Sequence, residues 1–443
     1  DILASILGVF QPTEWRTKHG PGSVSDQLFG SYKYNFRSWP ERLDHVFPYA
    51  DFAFANYGIW ADTISVQDNQ AFDEKAIAAV LHAVPKTLSK PRLIASEPTC
   101  LQWCQQGIRD YLYTRVHETF IGQFVDFRRQ ELNGELALSA SHSQSHVTID
   151  LSSASDRISC DHVQRLFRRS PSLLEALRAT RSKYLRQDIS RTSPNMYHIR
   201  KYSTMGNATT FPVQSLLFLT IALGSVLYVR GLEPSIGNIR ALGGKTVRIF
   251  GDDMIVPSDA SWCTVELLKA FGMKVNDSKT FLNGKFRESC GVDAYDGHVV
   301  TTISVLDVPR QASPGSVVSS VDVHHNMLDA YCWNTAEYLR KMVERCGYDK
   351  IRTVKHRSGL FGWSDMGVHQ PSQLKTRWNH DLSCREIRCL CLTTKVQRIL
   401  TVESGGLLQF FTEAANKVTS AISTLGYLAR RPKVQLGLRW ARV

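Results

Sequence analysis

The stretch TVRIFGDDMIVP, Thr246–Pro257, sets two short apolar runs, Val247–Phe250 and Met254–Val256, on either side of Gly251-Asp252-Asp253. Apolar runs of this length favour strands, and Gly251 permits the tight reversal between them. The expected product is a hairpin with two adjacent carboxylates at its tip. Adjacent acids repel each other and resist burial unless a cation neutralises them. Hard oxygen donors of this kind suit magnesium or manganese. The plain alternative is a turn that is acidic without consequence.

A second acid-bearing strand lies upstream. In HVTIDLSSASDRIS, His146–Ser159, Val147, Ile149 and Leu151 alternate with Thr148 and Asp150. The alternation predicts a strand with Asp150 within it or at its end. A helix is expected from about Asp156 to Arg169, with Asp156 as a candidate cap. Between the acid-bearing segments, a small-residue loop, Tyr202–Asn207, opens an apolar helix from about Pro212 to Tyr228. Pro212 suits its first turn, and Gly231 and Pro234 end it. The run Phe211–Val229 contains Gln214, Ser215 and Ser225, so a buried core helix is expected in place of a membrane span.

Elsewhere the reading is coarser. Asp73–Ala83 has the spacing of a short amphipathic helix, and a helix is expected over Leu101–Val116. Gly134–His146, rich in Ser and His, reads as a loop. A metal reading of His142 and His146 is disfavoured there. Ser261–Phe271 reads as a helix terminated by Gly272, with strands at Phe286–Gly291 and near Val299–Val305. From Pro314 onward a mainly helical region is expected, clearest at Leu328–Cys346 and Glu386–Leu400. VPKTLSKPRLIASEP, Val84–Pro98, puts Lys86, Lys90 and Arg92 on an extended segment that can reach a triphosphate or a nucleic-acid backbone.

The 443 residues, 43% hydrophobic, suffice for two or three domains with a large core. The net charge of +12 is unevenly placed: Arg310–Val443 carries 20 Lys/Arg against 10 Asp/Glu. A basic C-terminal third points to a polyanionic partner. The ten cysteines form no CxxC pair, which argues against structural zinc and for a reducing, intracellular setting. No signal peptide is visible.

Three acids on strands, with a buried helix between them in sequence, can meet at one sheet edge. Two divalent ions about 3.5–4 Å apart require shared carboxylates of this sort. These residues resemble the replicase catalytic subunit, an RNA-directed RNA polymerase, of the positive-strand RNA bacteriophages (leviviruses, the Q-beta and MS2 group). DLSSASDRIS resembles the first palm motif of that family, STMGNATTF the second and FGDD the third. NDSKTF and FRESCG resemble the next two, and VPKTLSKPRLIASEP the basic finger motif. The matches keep the family's order from about Val84 to Val305. Phe250 stands where Tyr is more usual.

The resemblance implies an α+β, right-hand polymerase. Its fingers would occupy 1–145, N-terminally incomplete; its palm, a small antiparallel sheet with helices, 146–305; and a basic helical thumb 306–443. It implies that Asp150, Asp252 and Asp253 ligate two Mg2+ ions, with Mn2+ able to substitute. Asp156 and Asn207 would read the ribose 2′ hydroxyl, and Ser203–Gly206 would form a mobile loop near the template base. Lys86, Lys90 and Arg92 would hold the triphosphate. Lys279 would donate a proton to pyrophosphate, with a plain surface lysine as the alternative. Arg287 and Glu288 are expected as a structural pair, and Cys290 as packed. Implied partners are RNA, nucleoside triphosphates, host elongation factors Tu and Ts and a ribosomal protein, in the bacterial cytoplasm and away from membranes. A reverse transcriptase and a non-catalytic basic RNA-binding protein are the rival readings. The small, polar Ser152–Asp156 turn disfavours the first, and acids placed on strands disfavour the second.

Overall fold

The computed structural model describes all residues except 21, 29, 37, 67–76, 86–90, 306, 312, 357, 366–373, 399–403, 415–426 and 443. By its contacts the chain divides into two units. Asp1–Val84, Arg92–Thr301 and Thr401–Gly426 form the first; Pro85–Pro91, Thr302–Leu400 and Tyr427–Val443 form the second. Helices and sheets mix in both, an α+β fold.

Along the first unit run β1 (Ala79–Pro85), β2 (Pro91–Ser96), α1 (Thr99–Glu118), α2 (Glu131–Ser143), β3 (His146–Ile149), α3 (Ala154–Arg157), α4 (Cys160–Phe167), β4 (Tyr184–Arg186), β5 (Met196–His198), α5 (Thr210–Val229), β6 (Arg248–Phe250), β7 (Asp253–Pro257), α6 (Ser261–Ala270), β8 (Phe286–Ser289), β9 (Val292–Tyr295) and β10 (His298–Val299). They form three sheets, in the orders β2-β1-β4-β5, β3-β7-β6 and β10-β9-β8. One apolar core, from Leu7 through Trp103, Phe218 and Ile249 to Val275, backs them.

The centre of that core is α5. Val213, Leu216, Phe218, Ala222 and Val226 are completely buried, each larger side chain contributing about 1.5–3 kcal/mol. Among the described residues this is the one helix apolar and long enough to cross a bilayer, and 78% of its apolar window is buried inside the protein. Pro212 sits in its first turn, and Gly231 follows its end at φ +61°. The Ser225 and Thr264 hydroxyls, 2.5 Å apart, join α5 to α6.

Several local expectations give way to tertiary packing. Gly134–His146 is mostly helix α2, not a loop. Its small residues Gly134, Ala137 and Ala140 are buried, and a Cβ at Gly134 would come within 2.7 Å of Val292. Close packing against β8 and β9 outweighs the weak helix propensity of Ser and His. His142 ends that helix beside Asp296 at 3.1 Å, and His146 opens β3. The expected helix Asp73–Ala83 is strand β1 from Ala79 onward; residues 73–76 lie outside the described residues. The expected helix Asp156–Arg169 is broken into α3 and α4, because Ile158 and Ser159 spend their backbone bonds on Lys201 and Tyr202. Ser159, not Asp156, caps α4, in a reciprocal box with His162. Only His298–Val299 of the alternating run near Val299–Val305 is strand.

The second unit holds α7 (Pro314–Asp329), α8 (Trp333–Arg345), β11 (Thr353–Lys355), β12 (Trp363–Asp365), β13 (Thr376–Asn379), β14 (Cys384–Arg398) and β15 (Tyr427–Arg442). It is therefore not mainly helical. Glu386–Leu400, expected as a helix, lies mostly in β14. Buried Ile387 and Cys389 flank exposed Arg388, a period of two, and pairings such as Ile387↔Ala441 hold the strand to β15. Leu328–Cys346 is two helices, broken where Tyr331 adopts φ +60°. Val317, Val321, Val343, Ile351 and Trp363 form this unit's core.

Candidate active site

Strand β7 lies between β3 and β6. Antiparallel pairing sets Ile149 against Met254, so Asp150 and Asp253 each follow directly on that pair, at the same end of the sheet. On the other side Phe250 pairs with Asp253, so Gly251 and Asp252 form the turn. Helix α5 dictates the glycine. Gly251 has φ +66°, and a Cβ there would meet the Phe211 ring at 2.9 Å and the Gln214 amide at 3.2 Å. Its N–H donates to Ser215 Oγ at 3.0 Å. Phe250 packs edge-on against Phe211, with ring centroids 5.0 Å apart.

The three carboxylates share one electrostatic field. Burial, then Asp252, with a further contribution from Asp150, pushes the Asp253 carboxyl up to about 6. Cys290, from the turn after β8, offers its thiol to Asp253 Oδ2 at 3.6 Å. Burial and the charge of Asp253 push that thiol up to about 12, so it stays protonated at neutral pH. Among the described residues no three His, Cys, Asp or Glu side chains close on a single point as a finished metal cage. The donor set nevertheless fits a hard divalent cation: burial and then the charges of Asp252 and Asp150 raise Asp253, and such an ion would offset that repulsion.

Lys279 belongs to the same neighbourhood. Its Nζ lies 2.5 Å from Glu288 Oε1, and that contact first, then Asp150 and Asp253, raises its proton affinity. Asp156, on α3, is half exposed and pairs with Lys201. Asn207 is buried, its Oδ1 accepting from the Thr209 N–H at 2.8 Å and the Thr209 hydroxyl at 2.6 Å. Ser203 shares a 2.7 Å hydroxyl contact with Thr210. Gly206 adopts φ +151°, and a Cβ there would stand 1.8 Å from the Ala95 carbonyl oxygen. The Ala95 N–H donates to the Met205 carbonyl at 2.8 Å, so the Ser203–Asn207 loop is strapped to β2. Arg92 is exposed at the start of β2, whereas Lys86 and Lys90 lie outside the described residues. Arg287 does not pair with Glu288. It is almost fully buried and donates to the carbonyls of His146, Gly284 and Phe286 at 2.6–2.8 Å.

Three residues escaped the sequence reading. Glu97 is completely inside the protein, where its carboxylate accepts from Ser182 and Thr204 at 2.6 Å and from Gln105 at 3.2 Å. Burial raises its pKa, against the pull of those three donors. Asn276 donates to Asp150 Oδ2 at 2.6 Å. Lys201 neutralises Asp156. Each sits in or beside a quoted motif, but its partners are far along the chain, and no local pattern signals them.

Residues 49–307 match the family described as RNA replicase, beta-chain. The RNA-directed RNA polymerase subunit beta of Qbeta virus (strain MX1) is 30% identical over 323 residues, 71% of this chain and 49% of its own length. The RNA-directed RNA polymerase beta chain of Escherichia phage MS2 is 33% identical over 234 residues, 53% of this chain and 39% of its own. That of Escherichia virus Qbeta is 32% identical over 254 residues, 57% of this chain and 38% of its own. The chain thus spans about half the length, or less, of these curated relatives. The matched segment runs from ahead of the finger motif to just past β10 and contains all three carboxylates, and by it the chain belongs to the RNA replicase beta-chain family.

Proposed function

We propose that this chain carries the polymerase chemistry of a phage RNA replicase, the template-directed addition of ribonucleotides to an RNA 3′ end. The observation that supports this best is the pairing of Ile149 with Met254, which brings Asp150 and Asp253 to one end of the sheet with Asp252 on the adjoining turn. Asp150, Asp252 and Asp253 would hold two Mg2+ ions, with Mn2+ as substitute. Such ions lower the pKa of an attacking hydroxyl and neutralise a triphosphate. The remaining work falls to side chains. Lys279 Nζ holds the proton offered to the departing pyrophosphate, and the acids around it keep that proton in place until negative charge develops there. Asp156 and Asn207 recognise the 2′ hydroxyl; a site built to bond a hydroxyl rejects the analogue lacking it. Arg92, together with Lys86 and Lys90, takes the triphosphate.

In this reading 1–145 are fingers, 146–305 palm and 306–443 a thumb of mixed helix and strand that grips product RNA through its phosphates. The relatives' names, subunit beta and beta chain, suit a chain that works with others. By family resemblance we assign host elongation factors Tu and Ts and a ribosomal protein to that role, in the bacterial cytoplasm.

The test is extension on single-stranded RNA with Mg2+, with and without host extract, using ribo- and deoxyribonucleotides in parallel. Incorporation of ribonucleotides that Asp252→Asn abolishes is the expected result. Efficient deoxyribonucleotide incorporation would favour a reverse transcriptase, and RNA binding without incorporation in either arm would favour a binding protein.

A further inference from the structure

We propose that Asn276 is a positioning residue for Asp150, fixing which carboxylate oxygen faces the cation. This rests on the polymerase reading above and deepens it. The segment Lys274–Phe281 runs antiparallel beside β3 and its continuation. Bridges tie Thr148 to Phe281 and Leu151 to Val275. The interval from Thr148 to Leu151 is three steps, and that from Val275 to Phe281 is six, so Asn276–Thr280 must arch outward between the two ties. Asp150 sits under that arch.

The arch holds Asp150 at three points. The Asn276 N–H donates to the Asp150 carbonyl at 2.9 Å. The Asp150 N–H donates to Thr280 Oγ1 at 3.3 Å. Asn276 Nδ2 donates to Asp150 Oδ2 at 2.6 Å. The last bond depends on which way the Asn276 amide is turned, and the carboxylate, which only accepts, sets it, with Ser278 completing the arrangement. Ser278 Oγ donates to Asn276 Oδ1 at 2.8 Å, which leaves Nδ2 to face the carboxylate. A relay Ser278→Asn276→Asp150 results. With Oδ2 so engaged, Oδ1 would be the freer oxygen, and Asp150 would meet a cation mainly through it. The Lys279 N–H donates to the Asn276 carbonyl at 3.0 Å, so the same arch carries the lysine of the site. Groups that orient a metal-binding carboxylate in this way commonly contribute 10- to 100-fold to metal affinity or activity.

The experiment compares wild type, Asn276→Ala, Asn276→Asp and Ser278→Ala in the whole 443-residue chain. Two readouts are taken: the Mg2+ concentration for half-maximal RNA extension, and Mn2+ affinity by electron paramagnetic resonance without nucleotides. Asn276→Ala is expected to raise the Mg2+ requirement and weaken Mn2+ binding by about 10-fold or more, with an unchanged KM for nucleotide at saturating metal. Asn276→Asp should be worse, since it sets a carboxylate against a carboxylate. Ser278→Ala, which removes the donor that steadies Asn276 Oδ1, should move both readouts the same way by less, and it stands as the test should the Asn276 variants not fold. A wild-type metal response in Asn276→Ala, or in Ser278→Ala if that alone folds, overturns the proposal. Asp252→Asn run alongside separates this from the larger claim: if it too incorporates nucleotide normally, the polymerase reading itself fails.

Discussion

Two carboxylate sites in the first unit are built on opposite principles. Glu97 lies fully inside the protein, and three donors from three parts of the chain satisfy it. Asp253 is only half-buried, and its company is two further carboxylates, a thiol and, farther off, the Lys279 ammonium that Glu288 holds. The first site is satisfied by neutral donors of the fold; in the second, burial and the charges of its neighbours hold the Asp253 carboxyl above its ordinary range. A carboxylate that serves architecture finds its donors in the protein, while one that serves a ligand is left in deficit.

The contrast is testable from its strongest consequence downward. Asp252→Asn should lower nucleotide incorporation by about 10³-fold or more, through lost metal stabilisation, while RNA affinity by filter binding stays near wild type. An equal loss of both would point to misfolding and break the contrast. Glu97→Ala should do the reverse, lowering stability by about 3 kcal/mol in a denaturant titration, because it strands the Ser182, Thr204 and Gln105 donors. It should also raise the nucleotide KM, since Thr204 lies in the strapped loop.

Asp253 gives a pH prediction of definite sign. Its folded pKa, about 6, lies above the ordinary 3.8. Its contribution to stability is therefore present in full below the unfolded value and is lost as pH rises through 6. The loss is at most about 3 kcal/mol. Without divalent ions, Asp253→Asn should melt higher than wild type at pH 7 and the gap should close near pH 4. Added Mg2+ should raise the wild-type Tm more than the variant's. A variant no more stable than wild type at pH 7 would mean that the deficit at Asp253 is already met from within. The smallest effect is expected for Lys279→Leu, about 10²-fold in kcat with little change in KM, if its proton goes to the leaving group. An unchanged kcat would return Lys279 to the status of a surface lysine.

The two sites were not equally legible in the sequence. The hairpin could be read because its determinants are local: two apolar runs, one glycine and two acids within twelve residues. The strand bearing Asp150 was likewise visible in the alternation of Val147, Ile149 and Leu151. Glu97 was not, since Gln105, Ser182 and Thr204 meet it only in three dimensions. The same distinction separates the other elements. Helix α2 was hidden because its stabilising contacts are with Val292 and its neighbours across the chain. Strand β14 reads as helix in the sequence because short apolar runs leave the period ambiguous until a partner strand settles it. The arch over Asp150 was missed because bridges set it, not composition.

In helix α5, Ser215 near one end grips the Gly251 amide while Ser225 near the other grips Thr264. Ten residues of helix, about 15 Å, separate those two grips. The acidic turn and α6 therefore hang from a single axle. A methyl group added or removed in the completely enclosed middle of that axle, at Phe218 or Ala222, would tilt both attachments together. Such a change would look in an assay like damage to the chemistry, although the injured residue lies beneath it.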